Sequence, residues 1–385
     1  MTKIENEFRP DYAIPPGETL LEVLESIGMT QAELARRTGR PKKTINEIIQ
    51  GKTAITPETA LQLELTLRIP ASFWNNREQQ YQETLARLDE EEQLEEQVHW
   101  LEDEQIPMDE MCQRGWIEFQ PDRVDLLREV LRFFGLASIY QFETYWHAFE
   151  VVFRRSAVRP ANWGAVAAWL RKGEIEAQAI DCLPYDAATF RRILPDIRIL
   201  TRQKVEEVLP DIMKACAAVG IAVVVIPALT NTAVSGATRW LTPEKALLQL
   251  SLRYRSDDNF WFSFFHESGH ILLHGKKKVF LEPDKLSNDV SELEEEVNNF
   301  ARNLLIPPNA WNDFLIQVGN KYPSRKKVIA FANDLGIAPS IVVGRLHHDR
   351  VMPPSHLNDL RWRLEMDEMG HITSVPYLNR RRERM

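Results

Sequence analysis

Two imidazoles four residues apart, with a carboxylate between them, carry a recognisable chemistry in this 385-residue chain. In the string FWFSFFHESGHILLHG, His266 and His270 share one face of a helix, so both rings can reach a single ion at about 2.0–2.1 Å. Glu267 sits next to that line without being on it. It can take a proton from water and pass it to a leaving amine, while Zn2+ held by the histidines would acidify the water and polarise a carbonyl. A lone HExxH is a modest signal, and a third ligand has to come from elsewhere. Downstream, Ser291-Glu292-Leu293-Glu294 has capping-box spacing. Leu293, Val297, Phe300, Ala301, Leu304 and Leu305 then mark the buried face of a second helix. At about 100° per residue Glu295 points away from that face, while Glu294 and Glu296 flank it on opposite sides. Periodicity leaves both of these open. His274 is a further four-residue step along, but the rise of about 12 Å from His266 argues against its sharing the ion.

A second set of residues could read nucleic acid. Residues 30–52 carry Arg36, Arg37, Arg40, Lys42, Lys43 and Lys52 against only Glu33 and Glu47. Lys42 and Lys43 can neutralise phosphates or read guanine, and Thr44 and Asn46 can hydrogen-bond base edges, asparagine most naturally to adenine. Arg36, Arg37 and Lys52 suit phosphate positioning better than readout.

These side chains need elements to hold them. Leu20, Val23, Leu24 and Ile27 recur at helical spacing, and Gly28 is placed to stop that helix. Thr30 can cap a second helix over residues 31–37, with Glu33 at capping-box spacing. Thr38-Gly39-Arg40 supplies a tight turn. Pro41 then opens a third helix with Ile45, Ile48 and Ile49 inward, and Thr56-Pro57-Glu58 starts a fourth. Two helices joined by so short a turn have helix-turn-helix geometry, in which the second lies in the major groove. Further on, residues 89–110 hold eleven acids and no Lys or Arg, which reads as a solvated acidic helix or linker. Residues 107–207 read as a packed helical connector. Ile221–Pro227 is a β-branched run. Residues 246–254 alternate like a half-buried strand, and LTPEK turns that strand back on SGATRW as a hairpin. Two helical stretches follow near 260–274 and 291–306, and then a helical C-terminal region that ends in the basic tail Arg380, Arg381, Arg382 and Arg384.

Composition sets the limits. Apolar residues make up 44% and charged residues 27%, which is ordinary for a globular chain and excludes a collagen-like or mostly disordered one. The longest apolar stretch is too short for a membrane span. No basic-then-apolar leader pattern opens the sequence, so a cytoplasmic protein is expected. Cys112, Cys182 and Cys216 are far apart and read as free thiols. The net charge of −9 argues against a general nucleic-acid coat, so any DNA contact must be local to the basic segment.

Two resemblances sharpen this reading. MTQAELARRTGRPKKTINEIIQGKTAITPETALQLELTLRIPASFW, with PGETLLEVLESIG before it, closely resembles the XRE-type helix-turn-helix of HigA-like antitoxins over residues 12–80. The resemblance implies a five-helix domain that binds palindromic operator DNA, usually as a homodimer. HESGHILLH followed by EEVNNFARNLLIP resembles the ImmA/IrrE metallopeptidases, whose usual pattern is HExGHxxLH and then E-A-N-x-F-A-x-x-L-L-x-P. Aligning EVNNFA on that pattern puts the third metal ligand at Glu296, beside His266 and His270. Val297 stands where the family often has Ala. The family often has a histidine at position 274, which implies an indirect or capping role for His274. This second resemblance covers residues 200–350, includes IAPSIVVGRLHHDRVMPPSHLNDLR, and implies a zincin-like fold.

The expected architecture is therefore α+β and mostly helical. It comprises a helix-turn-helix domain over residues 1–85, an acidic helical connector over 86–199, a zincin-like domain with a small sheet over 200–350, and a tail over 351–385. The expected function is a DNA-binding transcriptional regulator with a fused zinc peptidase, in which Glu267 is the catalytic base and a regulatory protein, a toxin or the chain itself is cut. The alternative is a non-catalytic antitoxin or repressor whose C-terminal domain binds a toxin or a small-molecule signal.

Overall fold

The computed structural model describes residues 12–146, 162–232, 234–274, 290–319, 321–367 and 370–377. The basic tail at 380–384 lies outside them. The described residues are mostly helical with two small sheets, and the chain divides into two compact units, Met1–His99 with Asp122–Leu127, and Trp100–Pro121 with Arg128–Met385. Among the described residues no single helix is long and apolar enough to cross a membrane.

The first unit contains α1 (Pro16–Ser26), α2 (Gln31–Thr38), α3 (Lys42–Ile49), α4 (Pro57–Leu67) and α5 (Ala71–Gln97). Local chemistry sets their starts. The backbone N–H of Glu33 donates to Thr30 Oγ1 at 3.2 Å and that of Thr59 donates to Thr56 Oγ1 at 3.2 Å, so each threonine satisfies a helix-end donor that would otherwise lack a partner. The return half of the expected capping box is not made, because the Glu33 carboxylate pairs with Arg36 and Arg37 instead. α2 ends on Gly39 in the left-handed region (φ 71°), and the chain re-enters a helix within three residues. Leu20, Leu24, Leu34, Ile45, Ile48, Leu63 and Trp74 form the core, drawn from all five helices. α1 meets the end of α3 at Gly17, which lies directly against the Ile48–Ile49 backbone. Residue 85, expected to end this domain, falls inside α5.

In the second unit a three-stranded sheet has the order β1-β3-β2, with β1 Ile221–Val225, β2 Gly236–Thr242 and β3 Lys245–Leu250. β1 runs parallel to β3 and β2 antiparallel to it, joined by the expected hairpin. The central strand is not half-buried as its alternation predicts. Ala246–Leu250 are buried on both faces, and Gln249 is fully covered, its Nε2 donating to Trp169 O at 2.8 Å. Trp169 belongs to α6 (Trp163–Gln178), a helix expected in the connector that instead covers one face of the sheet. The other face packs on α7 (Val205–Ala217) and on α8 (Asp257–Gly269), the helix of the HExxH motif. Trp261, Phe264 and Phe265 of α8 are essentially fully buried. At about 1.5–3 kcal/mol for each such side chain, they hold the helix firmly against the sheet.

α9 (Val290–Leu305) packs along α8 and carries the downstream glutamates, with Val297, Ala301 and Leu305 on its buried side. α10 (Pro339–His348) packs on α8 as well. At the start of α8, Ser340 Oγ donates to Asp257 Oδ2 at 2.6 Å, and Asp257 Oδ1 accepts the Trp362 N–H at 2.9 Å. The C-terminal region is not wholly helical. β4 (Trp362–Met366) and β5 (Ile372–Pro376) form an antiparallel hairpin, and the Leu364 N–H donates to Arg255 O at 3.0 Å.

Candidate functional site

In the first unit, the turn between α2 and α3 places Lys42, Lys43 and Thr44 in the first turn of α3, with Asn46 one step on. Lys42, Lys43 and Lys52 are exposed, and Thr44 and Asn46 are half-buried. Several of the basic side chains already have partners. Lys43 Nζ lies 3.7 Å from Glu47, and Arg37 Nε lies 2.8 Å from Glu33, which also pairs with Arg36. Arg40 is turned inward, with Nε donating to Gln62 Oε1 at 2.5 Å and Nη2 lying 3.5 Å from Glu58. It therefore ties α4 to the turn and is less available than its neighbours to a phosphate. α3 begins at Pro41 without a side-chain cap, whereas α2 and α4 each have one.

These residues fall within the stretch 20–74 that matches the family model described as helix-turn-helix. The chain belongs to the helix-turn-helix family. Virulence-associated protein A of Dichelobacter nodosus is 36% identical over 75 residues, which are 19% of this chain and 69% of that protein. The solved structure of an addiction module antidote protein of a HigA family from Coxiella burnetii is 29% identical. It covers 22% of this chain and 92% of its own, with a TM-score of 0.21. The chain thus carries a DNA-binding helix-turn-helix domain. The family match ends at residue 74.

In the second unit, three side chains with donor atoms converge. His266 Nε2 and His270 Nε2 are 3.1 Å apart, and the two oxygens of Glu294 lie 3.4 Å from one or the other of them. A tetrahedral ion bonded at about 2.0–2.1 Å separates its ligand atoms by about 3.3 Å, close to the spacing of the two Nε2 atoms and of each from its nearer Glu294 oxygen. His266 Nδ1 lies 3.1 Å from Asn298 Oδ1. With that nitrogen donating to the amide oxygen, the lone pair of Nε2 faces the other donors. Among the described residues, His266, His270 and Glu294 form the group able to hold a metal ion.

The expected third ligand, Glu296, is not part of this triangle. Its Oε2 lies 3.3 Å from His274 Nε2, and His274 Nδ1 lies 3.0 Å from His270 Nδ1. The reason is helix register. Glu294 precedes Val297 and Asn298 by three and four residues, on the side of α9 that meets α8. Glu296 is two residues further and emerges on the exposed flank, next to the π turn His270–His274 that continues α8. Glu295 pairs with Arg302 on the far side. Asn298 was missed in the sequence, although its four-residue spacing from Glu294 was a legible signal.

Glu267 is 6% exposed and lies between α8 and β2. Gly236 on β2 sits so close that a β-carbon there would fall 2.6 Å from Glu267 Oε1, and Thr238, two residues on, hydrogen-bonds the carboxylate. Neither of these neighbours was identified from sequence. Their alternation along β2 turns both toward α8, while Arg239 turns to the opposite face, where its Nη2 lies 2.6 Å from Glu174 of α6. Burial pushes the Glu267 carboxyl above its ordinary range, outweighing the opposing pull of His266 and His270. Glu294 is shifted the other way. Burial alone would raise it, but hydrogen bonds from His266 and His270 hold it well below the usual carboxylate range. For His266, burial would lower the pKa, but Glu294 and Glu267 together bring it above the ordinary value. Two carboxylates side by side, one pushed up and one pulled down, is an arrangement that separates a proton carrier from a fixed anion.

Proposed function

We propose that the chain is a DNA-binding regulator whose second unit is a zinc-dependent peptidase acting on a protein partner, a toxin or repressor among the candidates, or on the chain itself. The observation that carries the hydrolytic half is the triangle of His266, His270 and Glu294 beside the buried Glu267. Two imidazole lone pairs and a carboxylate brought this close repel one another unless a cation or proton lies between them. A bound zinc ion supplies Lewis acidity, acidifying water and polarising a carbonyl. Glu267 would receive a proton on its carboxylate and deliver it to a leaving amine. β2 is the last strand in its sheet among the described residues, and its Gly236–Thr238 stretch borders Glu267. An extended peptide added along that edge, by the strand pairing many peptide-binding proteins use, would run past the carboxylate.

In the DNA-binding half, Lys42, Lys43, Thr44 and Asn46 present the leading turns of α3 to an operator, with Arg36, Arg37 and Lys52 on phosphates and two copies on two half-sites. Lys43→Ala combined with Asn46→Ala should abolish the preference for the chain's own promoter fragment over unrelated DNA. Arg36→Ala should weaken both about equally and lower the salt slope by about one. For the catalytic half, elemental analysis of the purified protein should find zinc that a chelator removes. Glu267→Gln should keep the zinc and lose cleavage of co-expressed partner or self. Equal cleavage by wild type and Glu267→Gln would remove Glu267 as the base.

A further inference from the structure

We propose that the loop between β3 and α8 forms a carboxylate-binding subsite beside Glu267, with Arg255 as its cation, so that the preferred peptide is acidic about two residues from the cleaved bond. The inference rests on the peptidase reading above and names the substrate class that reading leaves open.

A shallow depression opens between the start of β2, the loop and one face of α8. Ser235, Leu252, Tyr254, Arg255, Asn259 and Ser263 are among the residues that line it. Asn259, Ser263 and Glu267 follow one another at four-residue steps and so share a face of α8. On the strand side, Ser235 directly precedes Gly236, the residue that abuts Glu267 Oε1. The depression and Glu267 are therefore bordered by the same two elements. Ser263 lies about 6 Å from Glu267 along the helix axis, which is about two residues of extended chain. A peptide laid along β2 past Glu267 would bring a side chain two positions away into the depression.

The chemistry there favours an anion. Arg255 is exposed, and the acids closest to it in sequence are engaged elsewhere. Asp257 accepts from Ser340 and the Trp362 N–H, and Asp258 accepts from Arg361. Arg253 adds a second positive charge, held over the Tyr254 ring at 5.0 Å. A guanidinium only donates, and its planar fork matches a carboxylate. The backbone that carries it is fixed at both ends. The Arg255 N–H donates to Leu252 O at 2.9 Å, and Arg255 O accepts the Leu364 N–H at 3.0 Å. Ser251 Oγ donates to Val234 O at 2.6 Å, tying the loop to the start of β2. Within this frame Leu252 and Arg255 are both held in the left-handed region, with φ 57° and 48°. Non-glycine residues persist there only where their surroundings over-determine them, a feature that clusters at ligand clamps.

The test is binding of labelled octapeptides to the full-length Glu267→Gln chain, read by fluorescence polarisation and so independent of cleavage. The peptides are C-terminally amidated and carry Glu, Gln or Lys at one scanned position in an alanine–valine background. At one position Glu should bind about 10-fold tighter than Gln, and Lys more weakly than either. High salt should shrink the preference. Adding Arg255→Ala should make the Glu and Gln peptides bind alike, and Arg255→Lys should keep part of the difference. Arg192→Ala, an exposed arginine outside the depression, should keep all of it. Equal affinity for Glu and Gln, or a preference that survives Arg255→Ala, would overturn the proposal. A preference that follows a free C-terminus instead of the scanned Glu would overturn the assignment to a side chain. If the preference depends on Arg255 but the wild-type chain holds no zinc and cuts none of the peptides, the subsite stands and the peptidase reading falls. If the wild type holds zinc and cuts without regard to Glu, only the subsite falls.

Discussion

Replacing Gly17 by alanine tests how the recognition helix is held. A β-carbon at Gly17 would lie 2.0 Å from Ile48 O, 2.5 Å from Ile49 Cα and 2.7 Å from Ile49 O, where ordinary contact begins near 3.4 Å. All three obstacles are backbone atoms at the end of α3, so no side chain can rotate away. α1 and α3 must open by more than an ångström, which loosens Leu20 and Leu24 against Ile45 and Ile48. Overpacking of this kind costs about 1–3 kcal/mol, and the rigid obstacle argues for the upper end. Alanine recovers at most about 1 kcal/mol of helix propensity. The net loss is about 2 kcal/mol, which in a unit of this size lowers the melting temperature by about 8–16 °C. Calorimetry on the full chain should show one transition moved down by that amount, and affinity for the promoter fragment should fall with it. A transition at the same or a higher temperature would show that the two helices part freely and that the close approach constrains nothing.

Gly236→Ala should act on the site alone. Its β-carbon meets Glu267 Oε1, Cγ and Cδ at 2.6, 2.8 and 3.0 Å, so Glu267, the proposed base, is displaced, and the histidines should stay in place. On the proposed peptidase reading, zinc content should be retained and cleavage reduced about 100-fold, the typical effect of an ångström of misplacement; full activity would break the link between β2 and Glu267. Asp257→Asn should change the pH dependence of stability. Burial, aided by the charge of Asp258, pushes the Asp257 carboxyl up to about 7 against the opposing pull of Ser340, the Trp362 N–H and Arg361. A folded-state value above the unfolded one, about 3.9, means the stabilisation from this group is complete below that pH and is lost as pH rises through about 7. The amide cannot ionise, so the melting temperature of the mutant relative to wild type should climb between pH 5 and pH 8. A difference that does not vary with pH would show that Asp257 titrates normally.

What the sequence discloses here follows from how local the governing interaction is. Thr30, Thr56 and Pro57 act within one turn of themselves, so the starts of α2 and α4 are legible, and the HExxH pair needs only a helix to bring its rings together. Gln249 shows the limit. Its polar side chain suggests an open face, yet the carbonyl that satisfies it belongs to Trp169, 80 residues earlier, and nothing near either residue announces the pairing. The C-terminal hairpin was missed for a related reason. Each of its strands has five residues, and their pairing with one another and with Arg255 outweighs weak local preference. The choice between Glu294 and Glu296 depended on which flank of α9 meets α8, a packing fact that periodicity left undecided.

That last choice has a wider consequence. Glu294, Glu295 and Glu296 have the same side chain on consecutive residues, but they join the histidine pair, Arg302 and His274 respectively. Composition and charge are identical at the three positions, and only a rotation of about 100° per residue separates them. The buried face of Val297, Ala301 and Leu305 sets that rotation, so apolar packing on one side of α9 decides the chemistry on the other. A substitution that turned α9 by one residue would keep every charge, every histidine and most of the core. It would nonetheless carry Glu294 away from the two imidazoles and Glu296 away from His274. The arrangement of the site therefore resides in the register between two packed helices, which is why Val297 and Asn298 bear on it alongside the histidines.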